Sequence, residues 1–189
     1  AGTYACSFGS ADRHEAGISI LPYGDGPVTI SPDGDPHFAY LGTGASWTLG
    51  VRLAGFAPVG SGIVGVGAGC SLTTVPGFEI AGPDDHVDSL SHGIYFHGTG
   101  TGDLDDPYIH GIPGAAIQSY RGSAKVTVRK GRIGSRYETL MVYNGSVDLQ
   151  GTTFLGTPAH DVQRGDVGVV TGVSTCSNPT RGFVDTTGL

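Results

Sequence analysis

Several kinds of residue are scarce in this 189-residue chain, and each scarcity excludes something. There are three cysteines, Cys6, Cys70 and Cys176, with no CxxC pair and no zinc-ligand spacing. A disulfide-built scaffold and a zinc finger are therefore excluded. An odd count leaves at least one thiol without an internal partner. Cys6 and Cys176, near the two ends, are the pair that would staple the termini, and buried small apolar cysteines are the equal alternative. Charged residues make up only 14% of the chain, too few for a charge-solvated disordered tail. Basic residues number 10 against 17 acidic, for a formal net charge of −7. An acidic chain is not a nucleic-acid binder as a whole, although a local basic patch is compatible with that balance. No apolar run is long enough to span a bilayer, and no secretory leader is read at Ala1, which fits a mature secreted start or removal of an initiator Met equally. No amphipathic segment of helical period and useful length is present.

What the chain has in abundance is glycine, 34 residues of it. Glycine weakens helix interiors and supplies tight turns. Glycines set between short Val, Ile, Leu and Tyr runs predict many turns and many short strands in one all-β domain. The runs also repeat. Gly44 in "GTGASWTLGVRLAG", Gly69 in "GAGCSLTTVPGFEIAG", Gly98 in "FHGTGTGDLDD", Gly122 in "YRGSAKVTVRKGRIG" and Gly145 in "YNGSVDLQGTTFLG" are separated by 25, 29, 24 and 23 residues. Strand-like content at a drifting period in the twenties, with glycine corners, predicts a solenoid of about six or seven short coils. A weaker copy starts near "GDGPVTISPDG", and another lies near "GVVTGVST". A β-sandwich or jelly roll is the alternative all-β reading. The repeat spacing favours the solenoid. Residues 1–189 then form one domain, with 1–38 an N-terminal cap or first coil and 175–189 a C-terminal cap.

Aligning the last three glycines sets "IYFHG", "QSYRG" and "MVYNG" above one another. Phe96, Tyr120 and Tyr143 are then expected in one buried column, and His97, Arg121 and Asn144 in the next. Like side chains about 4.8 Å apart form such ladders.

"SHGIYFHGTG…YIHGIPGAAIQSYRGSAKVTVRKGRI" resembles the repeats of right-handed parallel β-helix proteins of the pectate-lyase-like superfamily. Those repeats read HGIY, then I.G, then GIQ.Y.GS…V…N.I. The resemblance covers residues 90–155 and is thin before them. The Asn ladders common in that group are largely missing here, with Asn144 the main candidate. The resemblance implies a right-handed parallel β-helix. The group contains polysaccharide lyases, hydrolases, uronate epimerases and glycan-binding proteins such as phage tailspikes, so the fold does not select the activity.

Six of the ten basic residues fall in one segment: Arg121, Lys125, Arg129, Lys130, Arg132 and Arg136. In "AKVTVRK", alternation sends Lys125 and Arg129 to one outward face. That strip suits a carboxylate or sulfate ligand. The plainer reading is ion pairing within the array, Lys125 with Asp148 and Arg129 with Asp105. Two acidic loops follow. "GPDDHVDSLSH" holds Asp84, Asp85, His86, Asp88 and His92, and "TGDLDDPY" holds Asp103, Asp105 and Asp106. Clustered carboxylates are calcium ligands, and Asp-Asp-Pro is equally turn chemistry. The resemblance implies a lyase or epimerase scheme in which Ca²⁺ neutralises a uronate carboxylate and Lys125 or Arg129 takes the α-proton. There is no HExxH, GxSxG or phosphate-binding loop. His92 and His97 are five apart and so point to opposite faces of a strand.

These residues lead to two expectations. The first is a surface-exposed or virion-associated module, extracellular or on a virion, that binds an acidic or neutral polysaccharide through His97, Arg121, Lys125, Arg129 and Asn144, or builds a homo-oligomer or larger assembly. The alternative is a polysaccharide lyase or uronate epimerase acting on an acidic glycan.

Overall fold

A computed structural model describes residues 1–24, 26–83, 91–136, 138–155 and 160–176; at 10–11, 160–164, 166 and 173–176 it describes the backbone alone. Every strand pairing is parallel, and the chain winds as an all-β solenoid of about six turns, with no helix among the described residues. The first coil contains β1 (Gly2–Ala5), β2 (Gly9–Arg13) and β3 (Ala16–Ile20). The second contains β4 (Val28–Ser31), β5 (Ala39–Leu41) and β6 (Ser46–Leu49), and the third β7 (Arg52–Ala54), β8 (Gly62–Val66) and β9 (Ser71–Thr74). The fourth contains β10 (Glu79–Ala81), β11 (His92–Gly98) and β12 (Thr101–Asp105), and the fifth β13 (Tyr108–Ile112), β14 (Ile117–Gly122) and β15 (Lys125–Arg129). Then come β16 (Arg132–Ser135) and two long strands that bend around the corners, β17 (Glu138–Phe154) and β18 (His160–Cys176).

From β1 through β14 each strand pairs with the strand three places on, and the long β17 continues all three stacks, which builds three faces. The first face stacks β1, β4, β7, β10, β13 and β16; the second stacks β2, β5, β8, β11, β14 and the start of β17; the third stacks β3, β6, β9, β12, β15 and the middle of β17. Alternation sends every second residue inward, where it meets its counterparts above and below. On the first face Ile30, Leu53, Ile80, Ile109, Ile133 and Phe154 are in register. On the second, Ala39, Val64, Ile94, Ile117 and Leu140 are in register. All are buried, and together they form one continuous core. The third face has a gap in its inward column at Gly102, between Leu72 and Val126. The Phe96 ring occupies it, lying 2.6 Å from where a Gly102 Cβ would stand.

The five repeat-marking glycines all sit at positive φ, between 71° and 123°, where the chain turns from the second face to the third. Side chains are strained there, which explains why glycine recurs. Gly98 and Gly122 are in register. Gly145 is not their equivalent: it packs against Ala124 instead. The expected columns are also corrected. Phe96 stacks on Ser119 and then Val142, while His97 stacks on Tyr120. Phe96 is buried, whereas Tyr120 and Tyr143 are half-buried on the outside. The cause is a bulge: β14 carries one extra residue, Arg121, at φ 54°, between the His97 and Gly98 registers. Counting back from glycine slips by one there, and a slip of one reverses every side chain.

Cys6 lies just after β1 and Cys176 ends β18. The register passes from β1 through β4, β7, β10, β13, β16 and β17 before it reaches β18. At about 4.8 Å per rung the two cysteines are far beyond disulfide reach. Cys70 is buried, its thiol donating to the carbonyls of Gly42 at 2.6 Å and Leu41 at 3.3 Å. It occupies a column of small residues with Ala45, Gly100 and Ala124 at the same corner. Burial pushes its pKa up, which keeps it a thiol.

Candidate functional site

The outer side of the second face carries the most distinctive surface. In β11 the pattern "IYFH" buries Ile94 and Phe96 and turns Tyr95 and His97 outward. In β14 Tyr120 faces out, followed by the bulged Arg121. One outward column runs Tyr40, Gly65, Tyr95, Gln118 and Met141. Beside it stand His97 and Tyr120, with Tyr143 on the next rung. Ring centroids lie 6.2 Å apart for Tyr95 and His97, 6.5 Å for Tyr95 and Tyr120, and 5.6 Å edge-to-face for Tyr120 and Tyr143. The Arg121 guanidinium stands 5.1 Å over the Tyr120 ring. This makes a half-exposed aromatic strip running along the solenoid axis.

The strip is interrupted at β8, where Gly65 takes the position filled by tyrosines on both neighbouring rungs. The Tyr40 ring folds across Gly65, 2.2 Å from where a Cβ would be. Past it opens a depression of about 360 Å³ lined by Asp12, Tyr40, Thr43, Gly67 and His97, among others. Burial raises the Tyr40 pKa first, with the Asp12 charge adding to it. Burial likewise raises Tyr95 and Tyr143. These phenols stay protonated near neutral pH and present hydroxyls that both donate and accept. Below the strip, His92 is buried, its Nδ1 accepting the Ala115 N–H at 2.9 Å and its ring stacked near Tyr95. Burial lowers its pKa to about 4, so it is neutral.

The sequence-nominated residues divide between faces. His97 and Arg121 belong to the strip, and Asn144 follows Tyr143 at its end, its backbone carbonyl accepting from the Ser119 hydroxyl. Lys125 and Arg129 lie around the corner, outward on the third face as alternation required. Lys125 is in register with Thr101 and Ser146, while Asp148 is opposite Thr127, so Lys125 and Asp148 are not direct neighbours. Arg129 is held by Asp103 at 2.5 Å and by Asp105 at 3.8 Å. The three nominated aspartates thus part company: two pair with Arg129, and Asp106 occupies a turn at φ 46°. No group of three or more His, Cys, Asp or Glu among the described residues is arranged to hold a metal ion. Asp84, Asp85, His86 and Asp88 lie outside the described residues.

Arg132 belongs to neither surface. It stacks over Tyr108 at 4.3 Å on the first face, and Tyr108 stacks on His110 at the same centroid distance. His110 and Arg52 both bond the Glu79 carboxylate, at 2.9 and 3.0 Å. Burial alone would raise the Glu79 pKa, but those two partners outweigh it and the net shift is downward. The ladder satisfies its own charges.

Sequence reasoning missed Asp12, Tyr40 and Tyr95. The aromatics carry a signal: Tyr40, Gly65 and Tyr95 are spaced by 25 and 30 residues, close to the repeat. Asp12 has none, because β2 itself slips register between Gly9 and Asp12. No described helix is long and apolar enough to cross a membrane. Compared with protein-family models, curated proteins and solved structures, the chain matches none.

Proposed function

We propose that this chain is a surface-displayed binding module, extracellular or virion-associated, whose second face holds a glycan laid along the solenoid axis. The observation that carries this reading is the strip of Tyr95, His97, Tyr120 and Tyr143 leading into the Tyr40 depression. Sugar rings have apolar C–H faces and hydroxyl rims. Half-exposed tyrosines offer a flat surface to the first and hydrogen bonds to the second, at low entropic cost. The rungs are fixed by parallel pairing, so the platform is organised before ligand arrives.

The same reading places the chain among right-handed parallel β-helices of the pectate-lyase-like kind, on the repeat wording of residues 90–155. Binding has more support than the lyase or epimerase alternative, because Arg129 is engaged by two carboxylates and is poorly placed to take a proton. Lys125, exposed on the third face, is left as an accessory cation beside the strip. Isothermal titration against a panel of neutral and acidic oligosaccharides tests the proposal. Binding that Tyr120→Ala weakens supports it; no binding across the panel by a folded protein refutes it.

A further inference from the structure

The two ends of the aromatic strip carry opposite charge. At one end Asp12 stands in register with Tyr40 and lines the depression together with His97. Asp12 is exposed, and it forms no ion pair with another described residue. At the other end Arg121 is pushed out of the ladder by the bulge and lies over Tyr120, also exposed and also without an ion pair among the described residues. Two opposite charges without an ion pair among the described residues thus face one surface, several rungs apart. Two other outward arginines are paired, Arg129 with Asp103 and Asp105 and Arg52 with Glu79, whereas Lys125 on the third face forms no ion pair among the described residues.

We infer that the second face reads charge along its ligand, taking a neutral sugar in the Asp12–Tyr40–His97 depression and an anionic sugar at Arg121, and so selects a mixed glycan over a uniform polyuronate. The inference rests on the glycan-binding reading above. A carboxylate beside a bound hydroxyl accepts its hydrogen bond well, but the same carboxylate repels a uronate. Discrimination of that kind comes from placing an unmatched charge against the wrong ligand. The guanidinium over Tyr120 does the reverse: its planar fork engages a carboxylate or sulfate while the ring below carries the sugar face. The depression, walled in part by Gly42, Gly67 and Ala68, has room for a unit that the rest of the strip can only stack.

Three sets of hexasaccharides test this by titration calorimetry: a neutral β-1,4-glucan, a uronate homopolymer of the same linkage, and the glucan carrying one glucuronate at either end. The wild type is expected to bind one of the mixed hexamers about tenfold more tightly than either uniform one. Asp12→Asn should raise affinity for the homopolymer by about tenfold, and Arg121→Gln should remove the advantage of the mixed hexamer over the neutral one. Unchanged melting temperatures confirm that both variants fold. If the wild type binds homopolymer and mixed hexamers equally and Asp12→Asn changes neither, charge reading is wrong. Loss of all binding in Tyr120→Ala would then leave the glycan face itself standing. If no hexamer binds the wild type, both ideas fall together.

Discussion

The second and third faces are built by the same rule and end up with different surfaces. Both bury every other residue against the same core, and both stack in parallel register at the same rise. Outside, the third face carries short side chains: Ser46, Thr48, Ser71 and Thr73, with the Ser71 hydroxyl donating to Ser46 at 2.9 Å. Further along, Arg129 pairs with Asp103 and Asp105, Asp148 accepts from Thr171 and Gln150, and Lys125 forms no ion pair among the described residues. The second face carries large half-exposed rings and two charges, Asp12 and Arg121, that form no ion pair among the described residues. The lesson is that in a solenoid the backbone says little about activity. Where outward groups have satisfied each other little is left for a ligand to engage, and where rings and charges stand half-exposed a ligand would have more to hold.

That contrast can be tested from the inside out. The largest effect is expected from Phe96→Ala. Phe96 is fully buried and fills the Gly102 gap, so its loss should cost about 3–5 kcal/mol in urea unfolding. A cost below about 1 kcal/mol would mean that the core does not depend on this ring.

Acid should come next. His92 is neutral in the folded chain at a pKa of about 4, against about 6.5 when unfolded. The unfolded state therefore takes up the proton first. The stability that neutral His92 provides is intact above about pH 6.5, drains away as pH falls, and is gone near pH 4; the loss amounts to about 3 kcal/mol. Unfolding free energies across that window, compared with His92→Gln, measure it. An identical slope in the variant would assign the pH dependence to other groups.

Tyr120→Ala should separate the two roles. Because the ring is half-buried and outside, about 1 kcal/mol of stability is expected to go, together with most glycan affinity. A cost as large as that of Phe96→Ala would make Tyr120 part of the core and abolish the contrast. The smallest effect belongs to the third face. Arg129→Ala should change stability by under about 1 kcal/mol, since its partners are partly solvated, and should leave glycan binding unaltered. Lost binding there would extend the functional surface around the corner.

The repeat was legible because its cause is local: a turn that needs positive φ selects glycine, and five glycines marked it. Alternation was legible within a single strand, as Lys125 to Arg129 shows. Register between strands was not. The bulge at Arg121 depends on how β14 meets β11, and no residue in "QSYRG" announces it. The strip was therefore half seen. His97 and Arg121 were found, but Tyr120 was assigned to the interior and Tyr95 was passed over. Arg129 was placed beside Asp105 in sequence reasoning, and its closer partner is Asp103, one alternation away on the same strand.

The parallel ladder also has a mechanical consequence. Its hydrogen bonds point along the solenoid axis, so a pull on the two ends of the stack loads every rung interface in series. Such a chain fails at its weakest link, whatever the strength of the rest. The interfaces differ greatly: the second and third coils share two registered pairs at β4–β7, three at β5–β8 and four at β6–β9, whereas β17 and β18 are paired along nearly their whole length. Under tension the first face should part early, between the second and third coils. The outward aromatic strip beyond β8 would stay whole while the N-terminal coils peel away, and the Asp12 end of the strip would be drawn off from the Arg121 end.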